Sequence, residues 1–125
     1  MNSNRNGSNV SARNEKKSSL ASDRICLKIE NWEVNSKHDA VKLIHFISGV
    51  WIPPGKISID EKAWGYRFFF NDGGVSQNRE FSNALENNIQ FWNGYWCESK
   101  VMGILGEDRV VRHKFYIVLT DKEPA

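Results

Sequence analysis

After residue 24, apolar positions recur with two different periods, and together these predict an α+β fold. Ile25, Leu27 and Ile29 alternate with Cys26, Lys28 and Glu30, the period of a strand with one buried face. Ser36 then precedes Asp39 as an N-cap with an acid in the first turn, and Ala40, Val41, Ile44, Phe46 and Ile47 keep helical spacing up to Gly49. Pro53-Pro54-Gly55 predicts a turn before Ile57 and Ile59 open a second strand, and residues 62–70 make a third. Asn71-Asp72-Gly73-Gly74 predicts a loop, and Phe81, Ala84 and Leu85 predict a second helix from Ser76 or Gln77 to about Asn87. Asn93-Gly94 between apolar flanks is a hairpin signal, with a fourth strand at Tyr95–Ser99. Val101–Leu105 and Val110–Thr120 flank Gly106-Glu107-Asp108-Arg109 and predict a C-terminal β-hairpin extension.

The third strand carries the most specific pattern. Alternate side chains of a strand share a face, so Lys62, Trp64, Tyr66 and Phe68 line one surface while Ala63, Gly65, Arg67 and Phe69 line the other. Flat aromatic rings beside a cation can stack unpaired bases. An arginine turned to the core needs a carboxylate partner or carries a large desolvation cost, which makes Arg67 the awkward residue of this strand.

Length, 125 residues, and a 40% hydrophobic fraction suit one domain with one modest core. The formal charge of +2 is unevenly spread. Residues 1–24 hold five basic and two acidic residues, while residues 25–125 hold 12 basic and 13 acidic ones, a slight acidic excess. The segment 1–23, rich in Asn, Ser and Arg and almost without apolar residues, is expected to be a disordered basic tail preceding a single domain over 24–121. Its Arg5, Arg13, Lys16 and Lys17 are candidate phosphate contacts with a salt-sensitive contribution. The slightly acidic remainder argues against a broad electrostatic surface. No apolar run is long enough to span a bilayer and the polar start lacks a secretory signal pattern, so an intracellular chain, in cytoplasm or nucleus, is expected. Cys26 and Cys97 lie on separate predicted strands without metal-type spacing and read as reduced packing residues.

Residues 62–69, Lys-Ala-Trp-Gly-Tyr-Arg-Phe-Phe, resemble the signature octamer of the RNA-recognition motif family, with Ala63 and Arg67 departing from it. Residues 27–32, Leu-Lys-Ile-Glu-Asn-Trp, resemble that family's hexamer at Leu27, Ile29 and Asn31, with Lys28 in place of an aromatic ring. The predicted order of strand, helix, strand, strand, helix, strand over 25–99 is also that family's order. The resemblance implies a ferredoxin-like, four-stranded antiparallel sheet with two helices on one face. It further implies a non-enzymatic module that binds single-stranded RNA through Lys28, Lys62, Trp64, Tyr66 and Phe68, helped by the basic tail. The alternative is a protein-interaction module, an adaptor or inhibitor whose exposed aromatics bind a protein partner.

Other constellations point to bland roles. His38 and His45 are expected to face solvent and His113 to pack on a strand; no third ligand sits at metal spacing, so neither a metal nor a cofactor is expected. Cys97 lacks any oxyanion-loop signature nearby. Trp32, Trp51, Trp92 and Trp96 read as core and hairpin residues, with a second stacking pair for a nucleotide or capped RNA end as the alternative.

Overall fold

Among the described residues two pairs of helices alternate with two β-hairpins. The structure is a computed structural model describing residues 21–105 and 108–119. Its elements are α1, described over residues 21–30, α2 (Lys37–Val50), β1 (Lys56–Lys62), β2 (Gly65–Asn71), α3 (Ser76–Asn87), α4 (Ile89–Tyr95), β3 (Trp96–Leu105) and β4 (Asp108–Val118). All strand pairings are antiparallel and the sheet order is β1-β2-β4-β3, which makes the fold α+β. The tail residues Arg5, Arg13, Lys16 and Lys17 lie outside the described residues.

Local chemistry explains most element ends. The Ser36 hydroxyl accepts from the Asp39 backbone N–H at 3.1 Å, which satisfies one of the orphan donors at the start of α2, while Asn35 N–H donates to the Asp39 carboxylate at 2.9 Å and fixes the chain's entry into the helix. Asn88 caps α4 by accepting from Phe91 N–H at 3.1 Å. The β1–β2 hairpin closes through Ala63 and Trp64, with Lys62 paired to Gly65. Gly65 has φ +148°, and a side chain there would collide with the Ile117 carbonyl of β4. Only glycine tolerates both constraints.

One cluster forms the core. Tyr66, Phe68 and Phe70 of β2 stand in register with Ile117, Phe115 and His113 of β4, and this face packs against Ile29, Leu43, Ile44, Ile47, Phe81, Leu85 and Phe91 of the four helices. Phe70 and Phe115 meet edge-to-face at 5.0 Å, an arrangement that favours aromatic pairs beyond simple burial. The opposite sheet face carries no described helix.

Several sequence expectations are corrected. Residues 25–30 are helical, because Ser22, Ile25, Cys26 and Ile29 turn inward at helical spacing while Leu27, which completed the apparent alternation, is exposed. Residues 21–23, assigned to the tail, already belong to that helix, and the buried Ser22 hydroxyl accepts from Gln77 Nε2 at 3.2 Å. Asn93-Gly94 lies inside α4, where Phe91, Trp92 and Tyr95 pack inward; burial overrides turn propensity there. Residues 96–105 form one strand, with β-bulges at Cys97 and Met102, so the fourth strand and the C-terminal hairpin merge into β3 and β4 of the main sheet. The element order is therefore not strand, helix, strand, strand, helix, strand, and four helices replace two. Helix α2, the strand at 56–62 and helix α3 stand where the periodicity puts them.

Candidate nucleic-acid interface

The sheet face opposite the helices is built from alternate residues of all four strands. Register places Lys56, Ser58, Asp60 and Lys62 of β1, Arg67, Phe69 and Asn71 of β2, Arg112, Lys114 and Tyr116 of β4, and Glu98 and Lys100 of β3 on it. Among the described side chains of this face, six basic residues thus stand against two acidic ones, an excess of four positive charges. The acidic balance of residues 25–125 conceals this, because Glu30, Glu33, Asp39, Glu80 and Glu86 lie on the helices and their links.

The cations are held over the aromatic rings. The guanidiniums of Arg67 and Arg112 lie 5.3 and 4.9 Å from the Phe69 ring centre, and Lys114 Nζ lies 5.7 Å from that of Tyr116. Arg67 Nη2 also meets the Asp60 carboxylate at 2.8 Å, and this hydrogen bond raises the Arg67 pKa above its ordinary value. Glu98 is shared by Arg112 at 3.6 Å and Lys114 at 3.5 Å, leaving the face strongly basic. Trp64 curls from the hairpin turn onto the Tyr116 edge, with ring centres 5.3 Å apart. Planar guanidiniums and half-buried rings in one surface are the ingredients of base stacking, and the flanking ammonium groups suit phosphates.

A pocket of about 270 Å³ opens at one end of this face, lined by Lys56, Ser58, Phe69, Asn71 and Arg112. The Asn71 Oδ1 accepts from Gly73 N–H at 2.9 Å, which leaves its amide N–H groups as donors.

The sequence-derived site residues separate in space. Lys62 and Trp64 border the open face. Phe68 is 2% exposed in the core, so its ring cannot stack a base, and Tyr66 is half-buried beside it on the helix side. Lys28 is on α1, over the Phe46 ring at 4.7 Å, away from the sheet. Phe69, Arg112, Lys114 and Tyr116 were missed. Their signal was present: Arg112 and Lys114 alternate with Phe115 and Ile117, and Arg67 is incompatible with a core-facing position unless buried with a partner.

On the helix side of the sheet, Ser99 Oγ receives Trp96 Nε1–H at 2.9 Å and contacts His113 Nδ1 at 2.6 Å. The indole donates to the Ser99 hydroxyl, and Ser99 Oγ shares a second hydrogen bond with His113 Nδ1 whose donor is set by the His113 tautomer. Burial lowers the His113 pKa, opposed by the charges of Asp72 and Glu86. His38 and His45 are exposed on α2. Cys26 and Cys97 are free thiols, but Cys26 lies on a helix and Cys97 is exposed, so Cys97 is not a packing residue. Among the described residues no group of three metal-ligating side chains occurs, and no described helix is long and apolar enough to cross a membrane.

No family model matches the chain, and neither a curated protein nor a solved structure shows a significant match.

Proposed function

We propose that this protein is a non-enzymatic module that binds single-stranded RNA on the open sheet face. The observation that carries the reading is the pairing of an excess of four positive charges among the described side chains with Phe69 and Tyr116 on one surface that no described helix covers. Duplexes present few unstacked bases, whereas a single strand lets its bases lie on guanidiniums and rings while its phosphates meet Lys56, Lys62, Lys100 and Lys114. The resemblance of residues 62–69 to the RNA-recognition motif signature supports the same partner through Lys62 and Trp64, so the likeness is one of ligand class and not of strand order. The basic tail adds phosphate contacts of its own.

Titration of a random single-stranded RNA pool at about physiological salt tests this. Phe69→Ala and Tyr116→Ala should each weaken binding by about 1–3 kcal/mol, the usual contribution of one base stack. With about four phosphates contacted by the face, its share of the slope of log Kobs against log salt should be about −3, and the tail should steepen it further. Wild-type protein that binds no RNA, or binding untouched by both variants, refutes the reading.

A second reading, a protein-interaction module, draws on the β3 edge. Trp96, Val101 and Met102 are 42%, 53% and 47% exposed beside a strand whose outer edge is unpaired among the described residues.

A further inference from the structure

The pocket at the Lys56 end of the open face differs from the rest of that surface. It is concave where the face is otherwise a sheet surface, and among the described residues no carboxylate lines it. Lys56 contributes an exposed ammonium, Arg112 a guanidinium, Ser58 a hydroxyl, and Asn71 an amide whose oxygen is already used by Gly73 N–H. Among the described residues Arg112 Nε is buried without a hydrogen-bond partner, an unsatisfied donor on this guanidinium. Glu98 approaches the same guanidinium only at Nη2, at 3.6 Å, beyond hydrogen-bonding reach. Phe69 forms the apolar wall.

A donor-rich pocket with two cations selects for negative charge, and the amount of charge discriminates among phosphates. A diester inside a strand carries one charge, whereas a phosphomonoester carries about −1.5 to −2 and offers three acceptor oxygens. The volume, just under the lower end of the range for small-molecule sites, suits one nucleotide and not several. We infer that the pocket between Lys56 and Arg112 takes a phosphomonoester carried on a nucleotide, with the phosphate on the cations and the base or sugar against Phe69. The group is either a free nucleoside monophosphate or the phosphorylated end of a bound strand. The strand form rests on the RNA reading above; the phosphate site itself rests only on the pocket.

The full chain is titrated with AMP and with one single-stranded RNA sequence bearing a 5′-phosphate, a 3′-phosphate, or hydroxyls at both ends. A strand-end site predicts that one phosphorylated strand binds about tenfold more tightly than the hydroxyl strand. Lys56→Gln should reduce that ratio to within about twofold, beyond the smaller and uniform loss that all three strands suffer from one phosphate contact removed. Lys56 is exposed at the start of an edge strand, so the variant should fold; Lys56→Glu should remove the preference as well. Saturable AMP binding that Lys56→Gln abolishes, without binding of any strand, supports the pocket as a mononucleotide site while refuting the RNA reading. Equal affinity for all three strands together with no AMP binding overturns the inference, as does a phosphate preference that survives both Lys56 variants.

Discussion

Asn88→Ala should unfasten α1 from the rest of the domain. The side chain is 3% exposed and does three things at once: its Nδ2 donates to the carbonyls of Ile29 at 2.9 Å and Trp32 at 3.0 Å, and its Oδ1 accepts from Phe91 N–H. Those carbonyls end α1 and its following turn, while the N–H begins α4, so one amide ties the first helix to the fourth. Removing it deletes an N-cap, worth about 1 kcal/mol. It also strips hydrogen bonds from two carbonyls in a largely buried site, at about 0.5–1.5 kcal/mol for each lost bond. The expected loss is about 2–4 kcal/mol, a large fraction of the ~5–15 kcal/mol typical of a domain. In urea, with m near 1.5 kcal/mol/M, the midpoint should fall by about 1.3–2.7 M with m unchanged. Asn87→Ala, one residue earlier and exposed, is the control and should stay within about 0.5 kcal/mol. Amide hydrogen exchange should speed up through residues 25–30 in the Asn88 variant. A loss below about 1 kcal/mol, or unchanged exchange there, would refute the helical assignment of residues 21–30 and the tie that holds it.

Neighbouring phenylalanines on β2 should behave oppositely: Phe68→Ala should cost about 3–5 kcal/mol of stability by urea unfolding, whereas the half-buried Phe69→Ala should cost well under half as much. Equal losses would mean that the sheet faces are assigned the wrong way round. Stability should also fall as pH drops below about 6.5, because burial lowers the His113 pKa, so the unfolded chain takes up a proton that the folded one resists. The stabilisation is complete above the unfolded value and lost on descending from it toward the folded one; His113→Gln should flatten the slope just below about pH 6.5, and an unchanged slope would place the titrating group elsewhere.

Legibility in the sequence followed how local each signal was. Helix α2 was readable because its cap, Ser36 with Asp39, and its apolar spacing lie within the helix itself. The strand at 25–30 was misread because Ile25, Leu27 and Ile29 satisfy alternation, while one member of the true inward face, Ser22, is polar and hydrogen-bonded to Gln77 from a distant helix. Asn93-Gly94 carries strong turn chemistry, yet both residues are exposed on α4 and cost little there, whereas Phe91 and Trp92 gain contact with Phe115. The candidate site was half legible. Both faces of residues 62–70 carry aromatics, so periodicity alone could not tell inside from outside. Arg67 was the deciding residue: its Asp60 partner sits directly across on β1, and both remain partly exposed. The basic members Arg112 and Lys114 come from a strand some forty residues away, and only the pairing of β2 with β4 brings them to Phe69.

The central claim, that single-stranded RNA lies on the face opposite the helices, is tested most directly by mapping backbone amide shifts during titration with single-stranded RNA. Residues of that face, including Ser58, Arg67, Phe69, Arg112, Lys114 and Tyr116, should shift together and saturate together, while Leu43, Ile47 and Leu85 in the helices stay in place. Shifts confined to the helices or the β3 edge, or no shifts at all, would contradict the account.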